Sequence, residues 1–343
     1  MYDDLAPSLC AYTAARCPAR SDPQVLDLVN INTGWESDVY AFDLEYGPPE
    51  GRTRVPLILR IYPGEYAALK ARHEHRALSL LGAQGYPAPR VEALEVEASP
   101  LAGGKPFLLM ERVPGALMGR LTQSASPKEN ARYLCQASDL LVRLHRLDWR
   151  PFAQDPAAHT APDGRAHLRR TIEDWERMAA PFDAPSAQAQ LAWFSEHLGD
   201  VSPGRPAVIH LDFHMYNILV DDDGRATVID WTCLTVSDPR VDLAWTMVLP
   251  SDGGPALREA LVREYVRASG EPVEDLDWFY ALACWRRVWS VAISLLYGAG
   301  SVGMRPGAED AIRCSLPAVA GFHRTLVEAT GVEAPEVEGL LGA

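Results

Sequence analysis

The sequence predicts an α+β protein of two lobes, a small five-stranded antiparallel sheet with one helix and a larger, mostly helical part. Three observations carry that reading. Up to Gly115 the apolar residues fall into short runs bounded by Gly and Pro, as strands require, with one longer stretch of helical spacing among them. After Gly115 the spacing turns to three and four and stays so nearly to the end. The exception is Val208 to Trp245, where strand-like pieces return around a cluster of His, Asp and Asn. The expected division is 1–113 and 114–343, and 343 residues suffice for two cores.

Residues 1–28 read as partly helical and carry little chemistry. Leu28 to Tyr46 reads as strand, turn, strand, with Val39, Ala41 and Asp43 on one face and Tyr40, Phe42 and Leu44 on the other. Thr33, Gly34 and Ser37 at the turn are the small residues a phosphate-cradling tip needs, although a single glycine also suits an ordinary hairpin. Val55 to Ile61 is a third strand carrying a lone cation, Arg60. Glu65 to Leu81 follows as a helix expected to end before Gly82. Glu74 has Ala77 and Leu78 three and four residues on, which turns its carboxylate toward the sheet.

A strand cation and a helix glutamate so placed suit contact with nucleotide phosphates. The plainer alternative is a solvated Glu74 among Arg72, His73 and Arg76. The stretches GYPAPRVEALEVE and KPFLLMERVPG complete the five strands. Met110 to Val113 is then the crossing into the helical part, where backbone groups of Glu111 and Val113 are placed to hydrogen-bond an adenine edge.

In that part Pro127 to His145 forms a helix with an apolar face from Leu134, Ala137, Leu141 and Leu144, and His145 packs rather than reacts. Pro151 to Asp163 is a connection, and the two helices beyond it are split near Pro181 to Pro185. Then comes the His-x-Asp-x-x-x-x-Asn frame of His210, Asp212 and Asn217. Ile218 to Val220, a DDDG turn and a strand from Ala226 to Ile229 lead on to Asp230. Phosphoryl transfer needs such a set: one carboxylate to meet the attacking hydroxyl, and an amide oxygen and a second carboxylate to hold magnesium against the phosphates. No G-x-S-x-G elbow and no G-x-x-x-x-G-K-[ST] loop is present, which removes acyl transfer and P-loop chemistry.

The net charge of −14 argues against nucleic acid or an anionic membrane as partner and fits a neutral or cationic small molecule. Six scattered cysteines form no Cys-x-x-Cys pair and suit reduced thiols; with no secretory pattern at the N-terminus, a cytoplasmic location is expected. Tyr280 to Tyr297 is apolar but interrupted by Arg286 and Arg287, so it reads as a buried helix rather than a membrane span. Trp278, Trp285, Trp289 and Tyr297 line that helix. Beside Glu271, Glu274, Asp275 and Asp277 they offer either an amine-binding wall or, more simply, core.

These motifs resemble the aminoglycoside phosphotransferase family, which includes choline, homoserine and thioribose kinases and is distantly similar to protein kinases. The family's HGDxxxxN loop stands here as HLDFHMYN, its metal-binding Asp with following Trp as Asp230-Trp231, and its GDPxxDLA segment as SDPRVDLA from Ser237 to Ala244. The resemblance spans both lobes and implies a protein kinase-like fold. It also implies Asp212 as catalytic base or hydroxyl-orienting carboxylate, His210 in support, Asn217 and Asp230 on Mg2+, and Asp242 bracing the loop.

The family further implies ATP or GTP as donor, a hydroxyl of an aminoglycoside, macrolide or related small molecule as acceptor in a resistance role (or, in a metabolic role, a substrate of choline, homoserine or thioribose type), and a monomer or homodimer. A catalytically silent nucleotide-binding regulator is the competing class. Three positions differ from the family pattern: Arg60 for the usual Lys, Leu211 for the loop glycine, and Ser237 for the glycine before Asp238.

Overall fold

The computed structural model describes residues 5–32, 37–97, 101–153, 164–249, 254–302 and 308–342. Its packing separates two compact units. One is formed chiefly by Met1–Gly115 and Asp221–Thr232, the other by Ala116–Val220, Cys233–Val302 and the helices that follow.

The first unit begins with α1 (Leu5–Arg16) and holds a five-stranded sheet of order β1-β2-β3-β5-β4: β1 (Gln24–Asn30), β2 (Asp38–Tyr46), β3 (Thr53–Ile61), β4 (Val91–Glu95) and β5 (Phe107–Glu111). Every neighbouring pair is antiparallel. This is the small sheet with one inserted helix expected of a kinase-like α+β fold, and α2 (Ala67–Ala83) is that helix. Tyr40, Phe42 and Leu44 of β2 pack with Leu57, Leu59 and Ile61 of β3 and with Leu5 and Leu9 of α1 in one core.

Two boundaries differ from expectation. The first strand starts at Gln24 rather than Leu28, and α2 runs through Gly82 to Ala83. Gly82 falls in the last turn of the helix, in open space, and the chain turns at Gly85, whose φ of +68° favours glycine. In the same unit β9 (Ala226–Val228) donates the Val228 N–H to the Pro87 carbonyl at 3.0 Å, and Trp231 is fully buried edge-on to Tyr86.

In the second unit, α4 (Pro127–His145) starts as its sequence dictates. Ser126 and Glu129 form a capping box and Pro127 takes the first helical position. Helices α5 (Gly164–Ala179) and α6 (Pro185–Glu196) flank the Pro-rich break. Short strands, too brief to be read from pattern, frame the loop of interest: β7 (Ala207–Ile209) pairs with β10 (Thr235–Ser237), and β8 (Ile218–Val220) pairs with β6 (Ala116–Leu117).

Beyond β10 come α7 (Pro239–Val248), α8 (Gly254–Ser269), the long α9 (Leu276–Tyr297) and α11 (Leu316–Thr330). Ile209, Leu211, Val241, Trp245, Trp285 and Trp289 share one core with α5 and α6. Among the described residues no helix is long and apolar enough to cross a membrane, and the six cysteines are free thiols.

Candidate functional site

Within the first unit β3 delivers Arg60 opposite Val39 and Leu108. The guanidinium is engaged through Nε and Nη1. Its Nε donates to Ser37 Oγ at 2.9 Å, and its Nη1 donates to Glu74 Oε1 at 2.9 Å and to Asp230 Oδ1 at 3.0 Å. Glu74 is 1% exposed and also accepts the Tyr62 hydroxyl. Burial raises the Glu74 pKa and the neighbouring Asp230 adds to the rise, partly offset by Arg60 and by hydrogen bonds from Tyr62 and the Trp231 backbone. Two carboxylates therefore share one cation.

Asp230 sits in the left-handed region at φ +65°, with the Thr232 hydroxyl on its Oδ1 at 3.2 Å. Among the described residues its Oδ2 carries no hydrogen bond, so the carboxylate keeps a lone pair for a hard cation.

The other residues singled out in this unit are less concentrated. Thr33 and Gly34 lie outside the described residues. Ser37 is buried and gives its oxygen to Arg60. The Glu111 N–H is bound to the Arg90 carbonyl at 2.9 Å, which leaves its carbonyl as the group a base edge would use. Val113 follows the strand end without a backbone partner among the described residues.

Within the second unit β7 runs into His210, and the loop that follows is pinned from α7. Asp242, fully buried, accepts the His210 N–H on Oδ2 at 2.7 Å and the Leu211 N–H on Oδ1 at 2.8 Å. His145 stands behind it, with Nε2 3.3 Å from Asp242 Oδ2 and Nδ1 2.9 Å from the Tyr265 hydroxyl. A ring proton on Nε2 faces the Asp242 carboxylate. Burial would raise the Asp242 pKa, but His145, His210 and the backbone donor outweigh it and the net shift is downward.

Leu211, in place of the family's glycine, sits at φ +59°, a conformation that costs a leucine on the order of 1–2 kcal/mol. Both of its backbone groups are held there: the N–H by Asp242, and the carbonyl by Arg286 Nη1 of α9 at 2.6 Å. Arg286 in turn lies 4.1 Å from the Trp245 ring centroid. The other departure, Ser237, is fully buried and its hydroxyl bonds Thr171 at 2.7 Å, so the added side chain has a partner.

Asp212 emerges partly buried beyond this clip. Its N–H donates to His210 Nδ1 at 3.2 Å, and Asn217 Nδ2 donates to its carbonyl at 2.9 Å and to its Oδ2 at 3.1 Å. Asn217 thus spends its amide nitrogen on Asp212 and leaves Oδ1 for another ligand. His214 Nε2 stands 3.7 Å from Asp212 Oδ2. Burial pushes the Asp212 pKa up, yet His214, His210 and Arg286 hold it well below the usual carboxylate range.

The turn Met215–Asn217 approaches α3 (Met118–Ser124) so closely that a Cβ on Gly119 would lie 2.6 Å from the Tyr216 ring, and only glycine fits.

Of the two readings of the aromatic residues on α9, core is the one Trp285 and Trp289 follow, whereas Tyr297 is exposed. Trp285 and Trp289 are 1% exposed, and their N–H groups bond the Ala187 carbonyl at 3.0 Å and Gln190 Oε1 at 2.8 Å. Asp275 is taken up by Ser202 and Arg240.

Sequence reasoning missed His214 and Tyr62, and gave His145 and Arg286 no part in holding the loop. For Arg286 a signal existed, since a charge inside an apolar helix needs a buried partner.

Comparison with known proteins places these features in context. The sequence model of the phosphotransferase enzyme family matches residues 27–279. A candidate aminoglycoside phosphotransferase of Ralstonia eutropha JMP134 superposes with a TM-score of 0.63 at 16% identity, covering 93% of this chain and 97% of that one. The GDP and kanamycin complex of APH(2″)-IIia gives 0.58 at 16% identity over 94% and 97%. The ethanolamine kinase Pv091845 of Plasmodium vivax gives 0.58 at 13% identity over 87% and 82%. At these identities the likeness is one of fold.

Proposed function

The chain belongs to the phosphotransferase enzyme family, and we propose that it transfers the γ-phosphoryl group of ATP or GTP to a hydroxyl of a small molecule. The observation that carries this reading is Asp212, ionised, held at an exact backbone position, and bonded by an Asn217 whose amide oxygen is left over. A GDP complex of one structural relative supports a nucleotide donor.

The acceptor hydroxyl donates its hydrogen bond to Asp212, which aims the oxygen lone pair at the γ-phosphorus. A carboxylate held this acidic orients the hydroxyl and does not strip it beforehand. The proton leaves late, as the new P–O bond forms and the nucleoside diphosphate departs. Asn217 Oδ1 and Asp230 Oδ2 are oxygen donors of the kind Mg2+ takes, and the ion would supply neutralisation of the phosphate charge. Arg60, ordered by Ser37 and Glu74, is the cation offered to the donor phosphates from the sheet.

The test is a phosphate-transfer screen with ATP and GTP across aminoglycosides, macrolides, amino alcohols and hydroxy acids. Asp212→Ala is expected to lose turnover by about 1,000-fold or more while nucleotide binding, followed by calorimetry, persists. Wild-type turnover in that variant would remove Asp212 from the reaction.

A further inference from the structure

Arg286 and Arg287 are neighbours on α9, but only the first has a protein partner for its guanidinium. Arg286 is bound to the Leu211 carbonyl and packed on Trp245. Arg287 is partly buried and, among the described residues, its guanidinium makes no hydrogen bond or ion pair; its carbonyl accepts the Ser290 hydroxyl. Burial lowers its pKa, and the charge that acts against that loss is Asp212. A half-buried guanidinium whose donors are spent on no protein group is open to an oxygen ligand.

A second donor nearby is in the same condition. The indole Nε1 of Trp245, whose ring packs on Arg286, belongs to a residue only 6% exposed and has no acceptor. Unspent donors thus flank Arg286, beside the loop where an acceptor hydroxyl must reach Asp212. A polyammonium substrate would meet two fixed guanidinium groups there. A hydroxylated acid would have its own repulsion from ionised Asp212 relieved by Arg287.

We propose that Arg287 binds an anionic group, carboxylate or phosphate, on the acceptor molecule, so that this enzyme phosphorylates hydroxylated acids rather than polycations. This assignment rests on the phosphotransferase reading and names its substrate class. Arg287 is the specificity residue, Arg286 the positioning residue beside it, and Asp212 meets the hydroxyl of the same molecule.

The experiment uses the full chain with ATP or GTP and matched acceptors: glycerate and gluconate as acids, glycerol and glucose as neutral counterparts, kanamycin as polycation. In parallel, glycerate and inorganic phosphate are titrated into protein loaded with a non-hydrolysable nucleotide while the arginine Nε–H NMR signals are followed. Arg287→Lys identifies the signal of interest.

The expected result is saturable perturbation of the Arg287 signal by the anions and not by glycerol. Transfer would favour the acids, with the acceptor KM raised about 30-fold in Arg287→Met, partly restored in Arg287→Lys, and the nucleotide KM unchanged. Anions that leave the Arg287 signal unmoved, or kanamycin turned over equally well by wild type and Arg287→Met, overturn the assignment. A change confined to the nucleotide KM also overturns it, since the oxyanion would then belong to the donor. Anion binding at Arg287 without transfer to any acceptor would support the anion site and count against the phosphotransferase reading alone.

Discussion

Glu74 and Asp242 are both buried carboxylates next to a candidate reaction group, yet their pKa values move in opposite directions. Glu74 shares its cation with a second carboxylate, Asp230, and one of its neighbours is a hydroxyl that can either give or take a proton. Asp242 is surrounded by donors alone: two successive backbone N–H groups and the His145 ring. The sheet cluster balances charges that a ligand can rearrange. The loop clip spends its charge on fixing backbone, which leaves nothing for a ligand to displace.

Paired carboxamide substitutions test that distinction most strongly. Asp242→Asn places an NH2 group against a donor whichever way it turns, and a cost of about 3 kcal/mol in urea unfolding is expected, with turnover falling in parallel. Glu74→Gln can turn its NH2 toward the Tyr62 oxygen and should cost only about 1 kcal/mol. Equal costs would erase the comparison.

Acidity separates the two again, at smaller amplitude. Asp242, with its folded pKa depressed, contributes stability above the unfolded carboxylate range, and that contribution is lost as pH falls through the folded value. The gap between wild type and Asp242→Asn should therefore narrow below about pH 4. Glu74, with its folded pKa raised, opposes folding when ionised. Wild type should gain on Glu74→Gln as pH falls through the raised folded value toward the unfolded carboxylate range. Urea midpoints across pH in the three proteins decide it, and parallel curves would contradict both signs.

A third, subtler measurement sharpens the clip itself. If Arg286 serves to hold Leu211 in its left-handed conformation, Arg286→Met should be milder in a Leu211→Gly background, with a coupling on the order of 1 kcal/mol in a four-protein cycle. Strict additivity would show that Arg286 does something else. The smallest effect expected is none at all: since Asp212 stays ionised, kcat should show no inflection of its own between about pH 5 and 8.

Much of this site was legible before any coordinates. His210, Asp212, Asn217 and Asp230 lie at fixed short offsets, and the Arg60–Glu74 pair follows from a strand and the next helix. What escaped notice joins residues far apart in the chain. Arg286 reaches a carbonyl 75 residues away and His145 a carboxylate 97 away, and no periodicity encodes such pairings. Strands of two or three residues, such as β6 and β10, are likewise too short to declare themselves by alternation. The left-handed backbone at Leu211 is invisible in a residue type that seldom adopts it.

Helix α9 acts as a ruler laid along the second unit. The indole N–H groups of Trp285 and Trp289 are latched to α6 through Ala187 and Gln190, and these latches set the rotation of α9 about its own axis. Arg286 and Arg287 inherit their bearings from that setting, each ~100° round from the residue before it. A slip of ~20° would carry a guanidinium at ~7 Å radius through about 2 Å, more than a hydrogen bond tolerates. Repacking beneath the two tryptophans would therefore detune the reaction from a distance, without touching any group that meets a substrate.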